Sequence, residues 1–584
     1  MSPPERSRTD VPLLFASLSR SAPPGATGVA ILAAPAHAAT PTLVVNANQT
    51  LRAVTHVASG SLYGLANDST PADSRSTPLH ASTYVQMAPG GHQLPNGEPA
   101  PAGDALVVAR KAAAGGSKVV VRMPDWYPNF PYKWVSWSDW LSAVDTQTAS
   151  VKASGATNIA AYELWNEPDW TWDTTNAGGF DAGWARTFKE VRAKDPAHSI
   201  QGPSYSHWDQ NAMSTFLNDA KASGTVPDII AWHELGNDQS IAADVAAYRG
   251  LESSLGISPR PIAIEEYAAP AEVGVPGALV GYIAKFERAG VHDAEMAFWN
   301  HYGTLGDILT DTGGSPNGAY WLYQWYGAMS GNMVVTTPPA QTGIDGAAAL
   351  NSAGNQVSVI FGGGSGANQV TVNGLGSAFG STVEVKLEYT PSPGRTSAVS
   401  GPVTISDTNY SVANGSITVP VSSMNAAYGY HLVITPSTGT PASLAGNYRI
   451  TNFNSGLTLD TANSGTAWGT LAVQATASSS GTQNWSLVDA GSGLYKIVDR
   501  PSGLVLGITN ESTSDGGTAL VWGDTGTPDH LWRLTPDGSG HYKIANYNSG
   551  LLLGVTNMSK SSGAQVLQWH DNGTADHLWT LTAN

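Results

Sequence analysis

The stretch Ala160-Ala161-Tyr162-Glu163-Leu164-Trp165-Asn166-Glu167-Pro168-Asp169 decides how the chain is read. It begins apolar, as a buried strand does, and ends in Asn-Glu-Pro, where proline ends ladder pairing. A carboxylate between tryptophan and proline at such a strand end is predicted at the mouth of a fold, not in its wall. Working outward, similar apolar runs recur at Ser59–Gly64, Thr83–Met87, Lys118–Met123, Ser199–Ser204, Asp228–His233, Pro261–Tyr267 and Ala294–Trp299. Helical patterns fall between them at Asp139–Ala153, Gly179–Ala193, Asp209–Ser223, Ile241–Leu255 and Pro276–Ala289. Eight strands alternating with helices predict a (β/α)8 TIM barrel over residues 41–331, near the roughly 250 residues usual for one. An open doubly wound sheet is the alternative, but no Gly-rich phosphate loop follows the first strand.

Pro261-Ile262-Ala263-Ile264-Glu265-Glu266-Tyr267 repeats the pattern on the seventh strand, 99 residues after Glu167: an apolar strand ending in acid and aromatic. Strand alternation sends neighbouring side chains to opposite faces, so Glu265 and Glu266 are expected to point apart. His233 ends the sixth strand, and Trp299 the eighth. Arg122 and Trp126 stand at the end of the third as candidate substrate contacts, with a buried salt bridge equally open for Arg122. His233-Glu234 does not begin an H-E-x-x-H zinc motif, because Asn237 occupies the fifth position, so no metal is expected.

The rest of the chain differs in kind. Residues 332–436 hold short β segments such as Val357–Phe361, Gln369–Val372, Val383–Leu387 and Ser416–Val419 between Gly, Ser and Asn turns, which predicts a β-sandwich accessory domain. Residues 437–444 read as a linker. Residues 445–584 are a triplicate with a 47-residue period, carried by Tyr448, Tyr495 and Tyr542 and by Trp485, Trp532 and Trp579. One such repeat cannot bury its own apolar face, so three are expected to close about an axis. Residues 1–39 read as an export leader: Arg6 and Arg8, an Ala-rich apolar run, then Ala36-His37-Ala38 as a cleavage site, giving an extracellular, secreted protein.

Composition narrows the partners. A net charge of −17 argues against nucleic acid and anionic membranes. The absence of Cys removes disulfides, thiolate zinc sites and cysteine nucleophiles together. Gly at 64, Trp at 19 and only 12% charged residues suit loop-rich β structure and sugar-stacking surfaces.

Trp165-Asn166-Glu167-Pro168 resembles the acid/base motif of clan A glycoside hydrolases, retaining enzymes built on a (β/α)8 barrel. Tyr162–Asp169, Gln201-Gly202-Pro203 and the accessory β domain make the chain most similar to glycoside hydrolase family 39. The resemblance implies Glu167 as acid/base, Glu266 as nucleophile, Asn166 on the sugar 2-hydroxyl, His233 orienting Glu266, and Trp299 stacking under the sugar. The chain departs from the family pattern at His233-Glu234-Leu235 and at Glu265, where threonine is usual. Direct attack requires the two carboxyl groups to lie roughly 5–5.5 Å apart, and the pKa of Glu167 to be raised by burial and nearby negative charge. The triplicate resembles ricin B-type β-trefoil lectins, although only Gln483-Asn484-Trp485 keeps their Gln-x-Trp. That likeness nominates Asp460, Trp522 and Trp569 as sugar-binding positions, with Gly507 and Gly554 in place of the early Asp in repeats two and three. The expected partner is a carbohydrate polymer or oligosaccharide, and no cofactor is called for. The alternative is a non-catalytic carbohydrate-binding protein with an inactive barrel.

Overall fold

The computed structural model describes residues 40–94, 103–298, 303–310, 314–438, 443–491, 493–537 and 540–584; the leader assigned to residues 1–39 and Trp299 lie outside them. The first strand, β1 (Thr42–Ala53), precedes eight parallel strands that close a barrel. These are β2 (Gly60–Leu62), β3 (Thr83–Met87), β4 (Lys118–Arg122), β5 (Ile159–Glu163), β6 (Ser199–Tyr205), β7 (Ile229–Glu234), β8 (Ile262–Tyr267) and β9 (Asp293–Met296). Closure is the pairing of Gly60 with Glu295 between β2 and β9. Near-continuous apolar runs such as Val119-Val120-Val121 suit parallel strands buried on both faces. Part of the lumen is filled by Leu62, Val85, Met87, Val120 and Ala161.

The helices carry their own punctuation. Trp137–Ser154 starts at Ser136, whose hydroxyl accepts from the Asp139 N–H, and stops at left-handed Gly155. Gln210–Ser223 is capped by Asp209 and ended by Gly224 in the same way.

Strand β1 corrects the expected boundary at 41. It pairs antiparallel with Asn332–Thr337 and parallel with Gly366–Asn373, so it belongs to the accessory sheet and not to the barrel. The accessory domain is one nine-stranded sheet in the order Val403–Ser411, Thr382–Thr390, Gly429–Pro436, Val357–Gly362, Asp345–Leu350, Asn332–Thr337, β1, Gly366–Asn373, Ile417–Met424. Residues from both ends of that order, including Val370, Val419, Val385 and Leu432, share one core. The barrel helix Pro276–Ala289 docks on it: the Gly277 N–H donates to the Ala427 carbonyl at 3.0 Å, and Arg288 grips Asp345 at 2.6 Å.

The triplicate closes as a β-trefoil. Trp485, Trp532 and Trp579 are fully buried, and each indole N–H donates to a leucine carbonyl 26 residues earlier: Leu459, Leu506 and Leu553, at 2.8–2.9 Å.

Candidate active site

Glu167 stands four residues beyond β5, where Pro168 opens the single-turn helix Pro168–Thr171. Its backbone is left-handed (φ 53°, ψ 51°), a conformation that costs a non-glycine residue about 1–3 kcal/mol. Surrounding bonds hold it there. The Glu167 N–H donates to the Ser204 carbonyl at 2.9 Å, and the Thr171 hydroxyl donates to the Asn166 carbonyl at 2.6 Å. The Trp165 indole donates to the Thr171 oxygen at 2.9 Å, from a buried cluster with Tyr132, Trp134, Trp140 and Trp172. The Asn166 side chain is buried, and its Oδ1 has no partner.

Glu265 and Glu266 do not point apart. Against β7, Trp232 pairs with Ile264 and Glu234 with Tyr267; against β9, Ala294 pairs with Ile264 and Met296 with Tyr267. Strand β8 therefore carries one extra residue relative to both neighbours, a bulge at the glutamate pair. The bulge brings a carboxylate oxygen of each glutamate to 3.9 Å from the same imidazole, that of His233. Glu266 sits at the mouth. Glu265 lies fully buried below it and accepts from the Gln201 amide at 2.6 Å.

His233, expected to orient Glu266, lies nearer to Glu167: its Nδ1 is 3.2 Å from Glu167 Oε1. Arg122 resolves to the buried salt bridge. Its Nε donates to Glu163 and its Nη1 to Glu266, each at 2.7 Å, and the side chain is 1% exposed. The guanidinium thus fixes Glu266 from beneath. Trp126 leaves β4 on the turn Met123–Trp126, half-buried against the loop at His92.

The electrostatics differ from expectation at Glu167. Burial pushes its carboxyl up, but the His233 hydrogen bond and charge, Arg122 and the Trp170 N–H outweigh burial and hold it below the ordinary range. His233 moves the other way: burial would lower it, yet Glu266 and Glu167 raise it above its ordinary value. Burial also pushes Glu163, Glu265 and Glu295 up, and Asp125 to about 6. The site is rich in carboxyl groups, with Arg122 as its permanent cation.

Residue types alone did not reveal Tyr63 and Tyr132, whereas Trp170 and Trp172, just beyond the motif, were open to an aglycone-side role. Tyr63 and Tyr132 donate to the two Asp125 oxygens at 2.6 and 2.9 Å beneath the site. Trp170 is 52% exposed, donates its indole N–H to Glu167 Oε2 at 2.9 Å, and meets Phe130 edge-on at 5.3 Å. Trp172 is buried. Glu163 was legible as a strand residue but not as the second partner of Arg122. Among the described residues, Glu167, His233 and Glu266 could also converge on a cation, their ligand atoms lying within 4.8 Å of one another. One oxygen of Glu167 and one of Glu266 thus lie within 4.8 Å of each other.

In the trefoil, Asp460 is a correction. It is buried, and its oxygens accept from the Thr461 N–H, the Thr482 hydroxyl and the Gln483 amide, so it fastens the repeat internally. In repeat two the carboxylate comes from Asp529, at the position of Thr482, and accepts from the Ile508 N–H at 3.1 Å. In repeat three Asp576 does the same for Val555, at 3.2 Å. Gly507 is required there, since a Cβ would stand 2.5 Å from His530 Cδ2 and 2.9 Å from Asp529 Oδ2; Gly554 faces His577 and Asp576 likewise. Trp522 and Trp569 are 38% and 37% exposed, each followed by an aspartate paired with lysine: Asp524 with Lys496, Asp571 with Lys543. Trp468, not singled out from the sequence, is 63% exposed, with its ring centroid 5.4 Å from that of Trp522.

Comparison with known proteins follows the same division. Residues 434–522 and 528–584 match the ricin-type beta-trefoil lectin domain-like family. The structure of N2152 from Neocallimastix frontalis superposes with a TM-score of 0.65 at 36% identity, over 68% of this chain and all of that one. The 3-O-alpha-D-galactosyl-alpha-L-arabinofuranosidase of Bifidobacterium longum subsp. longum is 28% identical over 459 residues, 66% of this chain. The 3-O-beta-L-arabinopyranosyl-alpha-L-arabinofuranosidase of Bifidobacterium pseudocatenulatum is 27% identical over 454 residues, 65% of this chain. The chain spans 40% and 46% of the lengths of these two relatives.

Proposed function

The chain belongs to the family of N2152 from Neocallimastix frontalis, and from that premise we propose that its barrel is a retaining clan A glycoside hydrolase. The observation that carries the reading is the pair Glu167 and Glu266, on the ends of the fourth and seventh barrel strands, whose oxygens approach within 4.8 Å. Glu266, fixed by Arg122, attacks the anomeric carbon while Glu167 gives its proton to the leaving oxygen. A glycosyl ester forms on Glu266. Glu167 then takes a proton from water, which attacks the same carbon and frees Glu266, so the configuration is retained overall. Asn166 holds a sugar hydroxyl, a role supported by its position in the motif and by a buried Oδ1 that has no partner within the protein.

The two arabinofuranosidases support α-L-arabinofuranose, bearing a further sugar on O3, as the residue released. Family 39 is the finer assignment, on the motif Tyr162–Asp169. The trefoil binds carbohydrate at Trp522 and Trp569 and holds the barrel on a polymer, with Asp460 left to packing. Export of the chain follows from the leader, on Arg6, Arg8 and Ala36-His37-Ala38.

The test is hydrolysis of aryl α-L-arabinofuranosides and 3-O-substituted oligosaccharides beside xylosides, glucosides and galactosides, with the product anomer followed by NMR. Glu167→Gln and Glu266→Gln should each abolish turnover of unactivated substrates in a folded protein. Full activity in either variant, or an inverted product, would overturn the mechanism. A wild-type chain that binds polysaccharide but cleaves nothing would establish the inactive-barrel alternative.

A further inference from the structure

Glu265 is the chain's own departure from the pattern its motif resembles, and the bulge in β8 gives it a place. It is fully buried, with one oxygen held by Gln201. Its other oxygen, Oε2, has no hydrogen-bond partner, and neither does His233 Nε2, which faces it at 3.9 Å. The opposite ring nitrogen, Nδ1, contacts Glu167 at 3.2 Å. One fully buried imidazole thus stands between the mouth carboxylate and an interior carboxyl, each on its own nitrogen.

We propose that Glu265 and His233 form a proton relay serving Glu167, in which one proton passes along Glu265 Oε2, His233 and Glu167 Oε1 when a side-chain shift closes the 3.9 Å between Oε2 and Nε2 to hydrogen-bond length. To load the acid, the Glu265 proton passes to His233 Nε2, and the Nδ1 proton passes to Glu167 Oε1. Glu265 is left ionised, the ring neutral and Glu167 protonated, ready for the leaving oxygen. After Glu167 has taken a proton from water in the second half-reaction, the same two transfers run backward and restore Glu265 to its acid form. No proton enters or leaves the cluster except through Glu167.

The surroundings fit this reading. His233 faces Glu266 and Arg122 as well as the two relay carboxyls, and the carboxylates raise it, so the imidazolium midpoint is accessible. Glu265 faces Arg122, His233, Gln201 and the Ser204 hydroxyl, with Glu163 and Glu295 deeper in the lumen; burial outweighs these neighbours and favours its protonated form. Glu167, held down by its neighbours, needs a donor before it can act as an acid. Glu265 is fully buried below the mouth; it is a positioning residue acting through His233.

This inference rests on the proposed glycosidase reading, and the test separates the two. Glu265→Gln keeps the contact with Gln201 but carries no transferable proton. In the full-length chain it should lower kcat/KM for glycosides with poor leaving groups about 10- to 100-fold. It should also move the alkaline limb of the kcat/KM profile about one pH unit toward acid, because the proton for Glu167 is then held without the buried carboxyl that retains it to higher pH. A 2,4-dinitrophenyl glycoside, whose departure needs no acid, should be cleaved within about threefold of wild type in the glycosylation step. Glu265→Asp should restore part of the loss. Equal losses on both substrates with an unmoved pH profile, or no loss on either, would sink the relay. If that occurs while Glu266→Gln is inactive, the glycosidase reading stands alone. Nitrogen-15 NMR of His233 in the wild-type protein checks the relay without a variant: both ring nitrogens should show partial protonation, and an Nε2 that stays bare from pH 4 to 8 would rule it out.

Discussion

Replacing Arg122 by methionine keeps an unbranched stem in the barrel and removes the permanent cation that holds Glu163 and Glu266. In the wild type its Nε and Nη1 hold Glu163 and Glu266, each at 2.7 Å, with water excluded. Removing one partner of a buried ion pair costs about 3–5 kcal/mol, because the remaining charge is left without compensation. For a domain of this size each kcal/mol lowers the melting point by about 2–4 °C, so a drop of about 6–20 °C is expected. The deficit also has a sign with pH. Burial already raises Glu163, so in the folded state it binds a proton more tightly than in the unfolded chain. Its cost is absent below the ordinary carboxylate pKa and grows as pH rises above it. Arg122→Met should therefore approach wild-type stability near pH 4 and fall furthest behind at neutral pH. Turnover should drop by at least about 100-fold, since Glu266 loses the group that fixes its position. Arg122→Lys, which keeps the charge but not the fork, should lie between. Calorimetry of the full-length chain at pH 4 and 7, with kcat measured alongside, is the assay. Melting within about 2 °C of wild type at pH 7, or a larger deficit at pH 4, would refute the reasoning.

Three further outcomes follow from the same geometry. Trp170→Phe removes the N–H that helps hold Glu167 down, so the alkaline limb of kcat/KM should move to higher pH while stability stays within about 0.5 kcal/mol; a shift toward acid would contradict it. Gly507→Ala should cost the trefoil about 1–3 kcal/mol by overpacking against His530, read by urea denaturation. Gly507→Asp combined with Asp529→Thr and His530→Gln should recover most of that, because it recreates the set in repeat one. In the accessory sheet, the His431 hydrogen bond holds Glu388 down to about 2, and burial holds His431 below its ordinary 6.5. Both groups are therefore harder to protonate folded than unfolded, so acid destabilises the sheet, first below about pH 6.5 through His431 and then below about 4.5 through Glu388. His431→Gln should flatten the first part of that slope in denaturation measured from pH 7 to 5.

The barrel was legible because parallel strands buried on both faces are short apolar runs, and their acids stand at their ends. Glu167 and Glu266 were found that way. Strand β1 was not, because Leu43, Val45 and Ala47 alternate as a half-buried strand does in any sheet, and its partners lie far along the chain at Asn332–Thr337 and Gly366–Asn373. The bulge at Glu265 was invisible for a related reason: alternation assumes one residue per register step, and the extra residue shows only against Trp232, Glu234, Ala294 and Met296. The direction at Glu167 also escaped the sequence. Burial alone raises a carboxyl, and only the placement of His233 reverses it. For Asp460, the chain showed that Gly507 and Gly554 break the pattern, but not that Asp529 and Asp576 supply the missing oxygens.

That exchange of carboxylates bears on how the three repeats can be traded. A segment carrying residues 460 to 483 as a block brings its acceptor with it, as does one carrying 507 to 530. A crossover inside either block would join Asp460 to Asp529, crowding two acids and a histidine into one site, or Gly507 to Thr482, leaving the N–H of Ile508 with no acid to bind. Repeats two and three, which share the glycine and the Asp-His pair, are interchangeable halves at this point, whereas repeat one is a foreign part among them. A breakpoint at the turns Asn454-Ser455-Gly456, Pro501-Ser502-Gly503 or Asn548-Ser549-Gly550 leaves each block whole.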